Sequence, residues 1–225
     1  MVRPLTDIAN LLFPKVCPGC QRPLLKSENE LCIHCQTGLP VRLHLTSGEL
    51  IQRFYGRVLL TEAHTFLSFS RSGLSQRILH EIKYGGNREL AIEMGRLFGE
   101  KCSELELYKS IDVIVPVPLH DSKLRLRGFN QSELIAKGLG EKLGVPVETK
   151  AVTRLVKTST QTKKSRTERW KNVERIFETS QSVLSGKHVL VVDDVITTGA
   201  TLESCVQSIL DAGAKKVSAG CLAMA

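Results

Sequence analysis

The stretch Val189-Leu190-Val191-Val192-Asp193-Asp194-Val195-Ile196-Thr197-Thr198-Gly199-Ala200-Thr201 constrains the fold more than any other part of the chain. It opens as an apolar, β-branched run without polar alternation, the pattern of a parallel strand covered on both faces. Two carboxylates close the run. Two threonines, a glycine and a third threonine follow, and an amphipathic helix is expected over about 202–211. Acids at the carboxyl end of a strand then meet small hydroxyl residues at the amino end of a helix, which is where open α/β sheets bind ligands. The helix start offers unpaired N–H groups and the positive end of its dipole, which suit a phosphate. Gly199 lets the backbone approach closely, and the threonine hydroxyls add donors. Asp193 and Asp194 disfavour a bare phosphate but suit a sugar diol or a hydrated Mg²⁺ beside it. The plainer alternative is a capped strand-helix turn with surface acids, although a turn needs one cap and no acidic pair.

Val191 to Thr201 resembles the PRPP-binding motif of the type I phosphoribosyltransferases. The resemblance implies that Asp193 and Asp194 hold the ribose hydroxyls of 5-phosphoribosyl 1-pyrophosphate (PRPP). It implies that the turn through Val195, Ile196, Thr197, Thr198, Gly199, Ala200 and Thr201 holds the 5-phosphate.

At 225 residues and 42% hydrophobic content, the chain has room for one good-sized domain with a small appendage. No apolar run approaches the length of a membrane span, and the start lacks a basic segment followed by an apolar one, so a cytoplasmic protein is expected. The net charge of +8 favours anionic partners, phosphorylated sugars and nucleic acid alike.

Seven cysteines are an odd number for a disulfide framework. Cys102, Cys205 and Cys221 sit in apolar contexts, as small core residues do. The other four form Cys17-Pro18-Gly19-Cys20 and, after eleven residues, Cys32-Ile33-His34-Cys35. Two such knuckles bring four thiolates to a closed tetrahedral Zn²⁺ site, structural because no position is left open. Too few apolar residues lie between the pairs to make a core, so metal would supply the folding energy. A redox pair and a disulfide are the alternatives, and His34 is a substitute ligand with poorer spacing than Cys35.

Gly38 to Gly48 reads as a linker, and the β-branched and aromatic residues of 57–69 read as a hairpin or two short strands. Helices are expected over 74–82 and 88–107, separated by Lys83-Tyr84-Gly85-Gly86-Asn87. Ile111 to Val115 is a strand stopped by Pro116 and Pro118. Asp121 to Gln131 reads as a basic loop whose Arg125 and Arg127 forks match a pyrophosphate, entering a helix over 131–143. A solvated basic loop is the alternative. Residues 151–155 form a short strand. The polar stretch 157–171 reads as a mobile loop able to close over a charged substrate, with an ordinary surface loop as the alternative, and Trp170 reads as its anchor ahead of a stacking partner for a base. The last strand is expected over 216–222. The fold class is therefore α/β with an open, mostly parallel sheet. Its expected division is a cysteine ribbon in 1–47, a strand hairpin and helical hood in 48–110, and the core in 111–225.

Together the cysteine ribbon, Lys83-Tyr84, Val115-Pro116-Val117-Pro118-Leu119, Arg127-Gly128-Phe129-Asn130-Gln131, Gln161, Arg166, Arg169, Asn172 and Asp193 to Thr201 resemble the ComF family, in which a double zinc ribbon precedes a type I phosphoribosyltransferase-like domain. The resemblance implies natural competence, with handling of incoming single-stranded DNA beside a helicase and DNA-processing proteins. It implies a PRPP site of the amidophosphoribosyltransferase kind, without the glutaminase half, because Val2 follows Met1. Lys83, Pro118 and Leu119 join the acids and the threonine turn around PRPP and Mg²⁺. Two readings follow. In an enzyme, Asp193 and Asp194 orient the ribose, Arg125 and Arg127 hold the pyrophosphate, and Arg166 and Arg169 close the lid over an oxocarbenium-like transition state. In a binding module, the same pocket holds PRPP or a phosphorylated DNA end while basic surfaces track the strand. A zinc-ribbon nucleic-acid protein with an inert α/β domain is a third.

Overall fold

The computed structural model describes residues 14–42, 48, 50–155 and 176–225. In chain order, the first knuckle closes on a Val16–Pro23 bridge, and the second opens α1 (Ile33–Thr37). β1 (Ala63–Ser68) is followed by α2 (Leu74–His80), which runs into a π-helical turn, Glu81–Gly85. Then come α3 (Arg88–Ser103), β2 (Val113–Pro116), α4 (Asp121–Arg127) and α5 (Gln131–Leu143). β3 (Val152–Arg154) pairs antiparallel with β4 (Phe177–Thr179), and α6 (Gln181–Leu184) follows. The chain ends on β5 (His188–Ile196), α7 (Ala200–Asp211) and β6 (Lys216–Met224).

The main sheet has the order β1-β6-β5-β2, and every pairing in it is parallel. β5 is interior, and its apolar run divides by the two-residue period of a strand. Leu190 and Val192 face α3 and α5, while Val189 and Val191 face α7. Phe66 and Phe98 stack at 5.3 Å on the first face. Each large side chain buried this way contributes roughly 1.5–3 kcal/mol. The two helices on that face cross at backbone contact, because a Cβ on Gly138 would lie 2.0 Å from the Ile92 carbonyl oxygen, and one on Gly95 2.1 Å from that of Ile135.

Three expectations change. The stretch 57–69 forms no hairpin, because its one strand, β1, pairs parallel with β6 and is a full member of the main sheet. The described start of the expected linker, 38–42, bridges that sheet's edge antiparallel at Val41 and Leu67, with Arg42 N–H donating to Phe66 O at 3.0 Å and Ser68 N–H to Pro40 O at 2.8 Å. The expected basic loop is helical: His120 caps α4 and a left-handed Gly128 ends it, yet the helix buries no residue at all. The ribbon does not stand apart either. Cys17, Leu31, Cys32 and Cys35 belong to the same apolar cluster as Leu190, and Arg77 on α2 donates to Gly19 O at 2.6 Å.

Candidate functional site

β2 stops at Pro116, opposite Val192, while β5 runs on to Ile196. The overhang carries the two acids beyond the end of a neighbouring strand, and adjacent strand residues point to opposite faces. By that alternation Asp193 shares the face of Val191, and its Oδ1 accepts from Ser132 Oγ in the first turn of α5 and from the Asp194 N–H, both at 2.9 Å. Asp194 turns the other way, with its Oδ2 3.2 Å from Lys83 Nζ. Burial pushes the Asp193 carboxyl up to about 7. The Asp194 charge adds to this, against the opposing pull of its hydrogen bonds and of Lys83. Lys83 stands in the π turn that follows α2. Such single-turn irregularities recur at functional sites.

Beyond the acids, Val195 and Ile196 pack into the two cores, so only their backbone is available to a ligand. Thr197, Thr198, Ala200 and Thr201 are exposed. Gly199 between them is left-handed at φ 80°, and a Cβ there would lie 3.0 Å from the Phe54 ring. That ring forms the floor of the turn. α7 then begins at Ala200, earlier than expected, and Gly199 brings no side chain to cap it. The amide of Ala200 makes only a long contact, 3.4 Å, to Thr198 Oγ1. The turn is an exposed row of donors at the start of a three-turn helix, an anion-binding arrangement. Two exposed arginines brace it. Arg53 donates to Thr197 O at 2.9 Å, and Arg57 pairs with Glu203 on α7. Sequence reasoning missed Arg53, Phe54 and Arg57. Their one signal was a dense basic-aromatic run, Arg53-Phe54-Tyr55-Gly56-Arg57.

Pro118 and Leu119 lie half-buried just past β2. The helical form of α4 separates the two forks, since residues two apart on a helix diverge by about 200°. Arg125 is exposed. Arg127 is half-buried with its guanidinium 5.6 Å from the Tyr84 ring centre, and its Nη1 donates to Gln131 Oε1 at 2.9 Å. Asn130 ties this segment back to the sheet by donating to Val117 O at 3.0 Å. The structure thus gathers Lys83, Asp193, Asp194 and the threonine turn along one overhang, brings Arg127 to the Lys83-Tyr84 turn, and leaves Arg125 in solvent. Arg166 and Arg169 lie outside the described residues, as do Gln161, Trp170 and Asn172.

The sulfurs of Cys17, Cys20, Cys32 and Cys35 all lie within 4.8 Å of one another. The Cys32 N–H donates to Cys17 Sγ and the Cys35 N–H to Cys32 Sγ, each at 3.4 Å, as in a knuckle that steadies thiolates. Cys20 is lowered to about 6, chiefly by the Arg22 N–H. All four thiols are free, and four converging soft donors fit one metal ion. His34 is exposed and outside the cluster. The ribbon reaches the other site through Glu30, which accepts from Asn87 Nδ2 at 3.2 Å, and Asn87 caps α3 just beyond the π turn.

The Phosphoribosyl transferase domain model matches residues 127–225. The chain is 31% identical over 217 residues to DNA utilization protein YhgH of Escherichia coli (strain K12), covering 92% of this chain and 89% of that protein. It is 29% identical over 202 residues to Competence protein ComFC of Bacillus subtilis (strain 168), covering 88% and 79%. It is 27% identical over 212 residues to Competence protein F of Haemophilus influenzae, covering 93% and 90%. Among the described residues no helix is long and apolar enough to cross a membrane.

Proposed function

This chain belongs to the ComF family, and from that premise we propose that it is a cytoplasmic PRPP-binding protein that handles imported single-stranded DNA during transformation. One observation carries the ligand reading: the two acids, Asp194 paired with Lys83 and Asp193 held by Ser132, and an uncapped, threonine-lined helix start follow each other along the overhang of β5. A ligand offering a diol and a phosphate one sugar apart satisfies both. Thr197, Thr198, Gly199 and Thr201 seat the 5-phosphate, and Val195, Ile196 and Ala200 lend backbone. Asp193 and Asp194 take the ribose hydroxyls. Pro118, Leu119 and Arg127 border the diphosphate, whose charge Mg²⁺ offsets, and the exposed Arg125 adds positive charge from the solvent side.

The chemistry such a pocket supplies is transfer of a phosphoribosyl group to a nitrogen acceptor, driven by positioning and charge stabilisation rather than by an attacking side chain. The cysteine cluster takes Zn²⁺ as a structural ion, since all four donors are supplied by the chain. The DNA role is drawn from the relatives named for competence and DNA utilization and from the net charge of +8. Strand binding then rests on phosphate neutralisation and weakens with salt. A competence helicase and DNA-processing proteins are the expected partners.

Calorimetry with PRPP and Mg²⁺ tests the pocket, with pyrophosphate release and single-stranded DNA binding measured beside it. PRPP binding in the micromolar range, lost in Asp194→Asn, is the expected result. Unchanged affinity in Asp194→Asn would place the ligand elsewhere.

A further inference from the structure

Among the described residues, two buried donors beside the Lys83-Tyr84 turn have no acceptor: Arg127 Nε and Gln131 Nε2. Gln131 is the first residue of α5 and only 1% exposed. The orientation of its amide follows from chemistry. A guanidinium only donates, so the atom facing Arg127 Nη1 at 2.9 Å is the oxygen, and the surplus atom is the NH₂. A buried donor left unpaired carries a full desolvation cost, and native interiors rarely tolerate one. Here two belong to one hydrogen-bonded pair. Neither can satisfy the other, so the acceptor has to come from outside the pair.

The surroundings state what that acceptor is. The next residue, Ser132, holds Asp193, so the pair borders the acid that faces the sugar. The first turn of a thirteen-residue helix adds its own positive end. On the outer side lies the Tyr84 ring, 65% exposed, set between the Arg127 guanidinium at 5.6 Å and the His80 ring at 5.0 Å. Two donors, a fixed guanidinium and a helix start, closed by an exposed ring, suit an anionic oxygen and not a neutral base.

Building on the PRPP reading above, we propose that Gln131 positions the diphosphate. Its Oε1 fixes the Arg127 fork, and its Nε2 together with Arg127 Nε donates to one diphosphate oxygen once Tyr84 swings aside. Gln131 is thereby the residue that distinguishes a sugar bearing a 1-diphosphate from the same sugar without it. The 5-phosphate and ribose contacts lie on β5 and the threonine turn and do not depend on it.

The test compares PRPP with ribose 5-phosphate, both with Mg²⁺, by calorimetry on the full chain. In Gln131→Met, PRPP affinity should fall roughly 10–100-fold, the worth of a buried bond to a charged oxygen, while ribose 5-phosphate binding stays within about twofold. Gln131→Glu keeps the size and the Arg127 partner, so it folds, but it turns the surplus donor into a repelling oxygen. Its loss for PRPP should be at least as large, again with ribose 5-phosphate spared. Equal losses for both ligands, or no loss for PRPP, overturn the assignment while leaving the PRPP reading intact. Failure of the unmodified chain to bind PRPP at all overturns both.

Discussion

Replacing Asp193 with asparagine separates what the acid costs the fold from what it does for a ligand. Asparagine keeps the shape, and its oxygen can still accept from Ser132 Oγ and the Asp194 N–H. Only the charge goes. The carboxyl, raised from 3.8 to about 7 chiefly by burial, binds more protons in the folded chain than in the unfolded one. Stability therefore falls as pH rises from about 4 to about 7 and is level above that. A shift of about three units corresponds to about 4 kcal/mol at 1.36 kcal/mol per unit. The side chain keeps partial contact with solvent, so a loss of about 2–4 kcal/mol is expected across that window. Urea unfolding of the parent and of Asp193→Asn at several pH values reads this directly. The variant should be the more stable by that amount at pH 8, with the gap closing toward pH 4, while its PRPP affinity drops. Such a trade of stability for function is common at binding sites. A gap independent of pH, or a variant weaker than the parent at pH 8, would refute the argument, because either result means that the acid is ionised and well satisfied in the fold.

Lys83→Met leaves the Asp194 carboxylate, 13% exposed, without its cation. It should cost about 1–3 kcal/mol in thermal unfolding and weaken PRPP binding about tenfold or more. Gly138→Ala drives a methyl group to 2.0 Å from the Ile92 carbonyl and should cost about 2–4 kcal/mol by denaturant unfolding; a neutral effect would mean that the α3–α5 crossing relaxes freely. Elemental analysis should find one metal equivalent per chain, lost in Cys17→Ser. Because the ribbon belongs to the main apolar cluster, chelation should lower the melting temperature of the whole chain and not only of the ribbon.

What was legible beforehand followed from local pattern. α5 was expected over 131–143 and spans Gln131–Leu143, because its apolar period, its Asn130 cap and a glycine at its end all agree. α4 escaped because a helix that buries nothing carries no apolar stripe, and its only marks were a capping His120 and the terminal Gly128. The hairpin reading of 57–69 failed for a different reason. Its residues do prefer a strand, but the choice of partner is non-local, and Ala63 pairs with Ala219 at the far end of the chain. At the site, the acids and threonines announced themselves. Arg53, Phe54 and the unsatisfied amide of Gln131 did not, since each matters only through what folding sets beside it.

The Asn130 bond to Val117 has a wider consequence. It pins the two ends of the 118–129 segment together at the sheet. This insert is fastened at its base like a blade in a handle. Its contents can be exchanged for others without disturbing a single register in the four parallel strands, so a scaffold of this kind can change what it recognises far faster than it changes its shape.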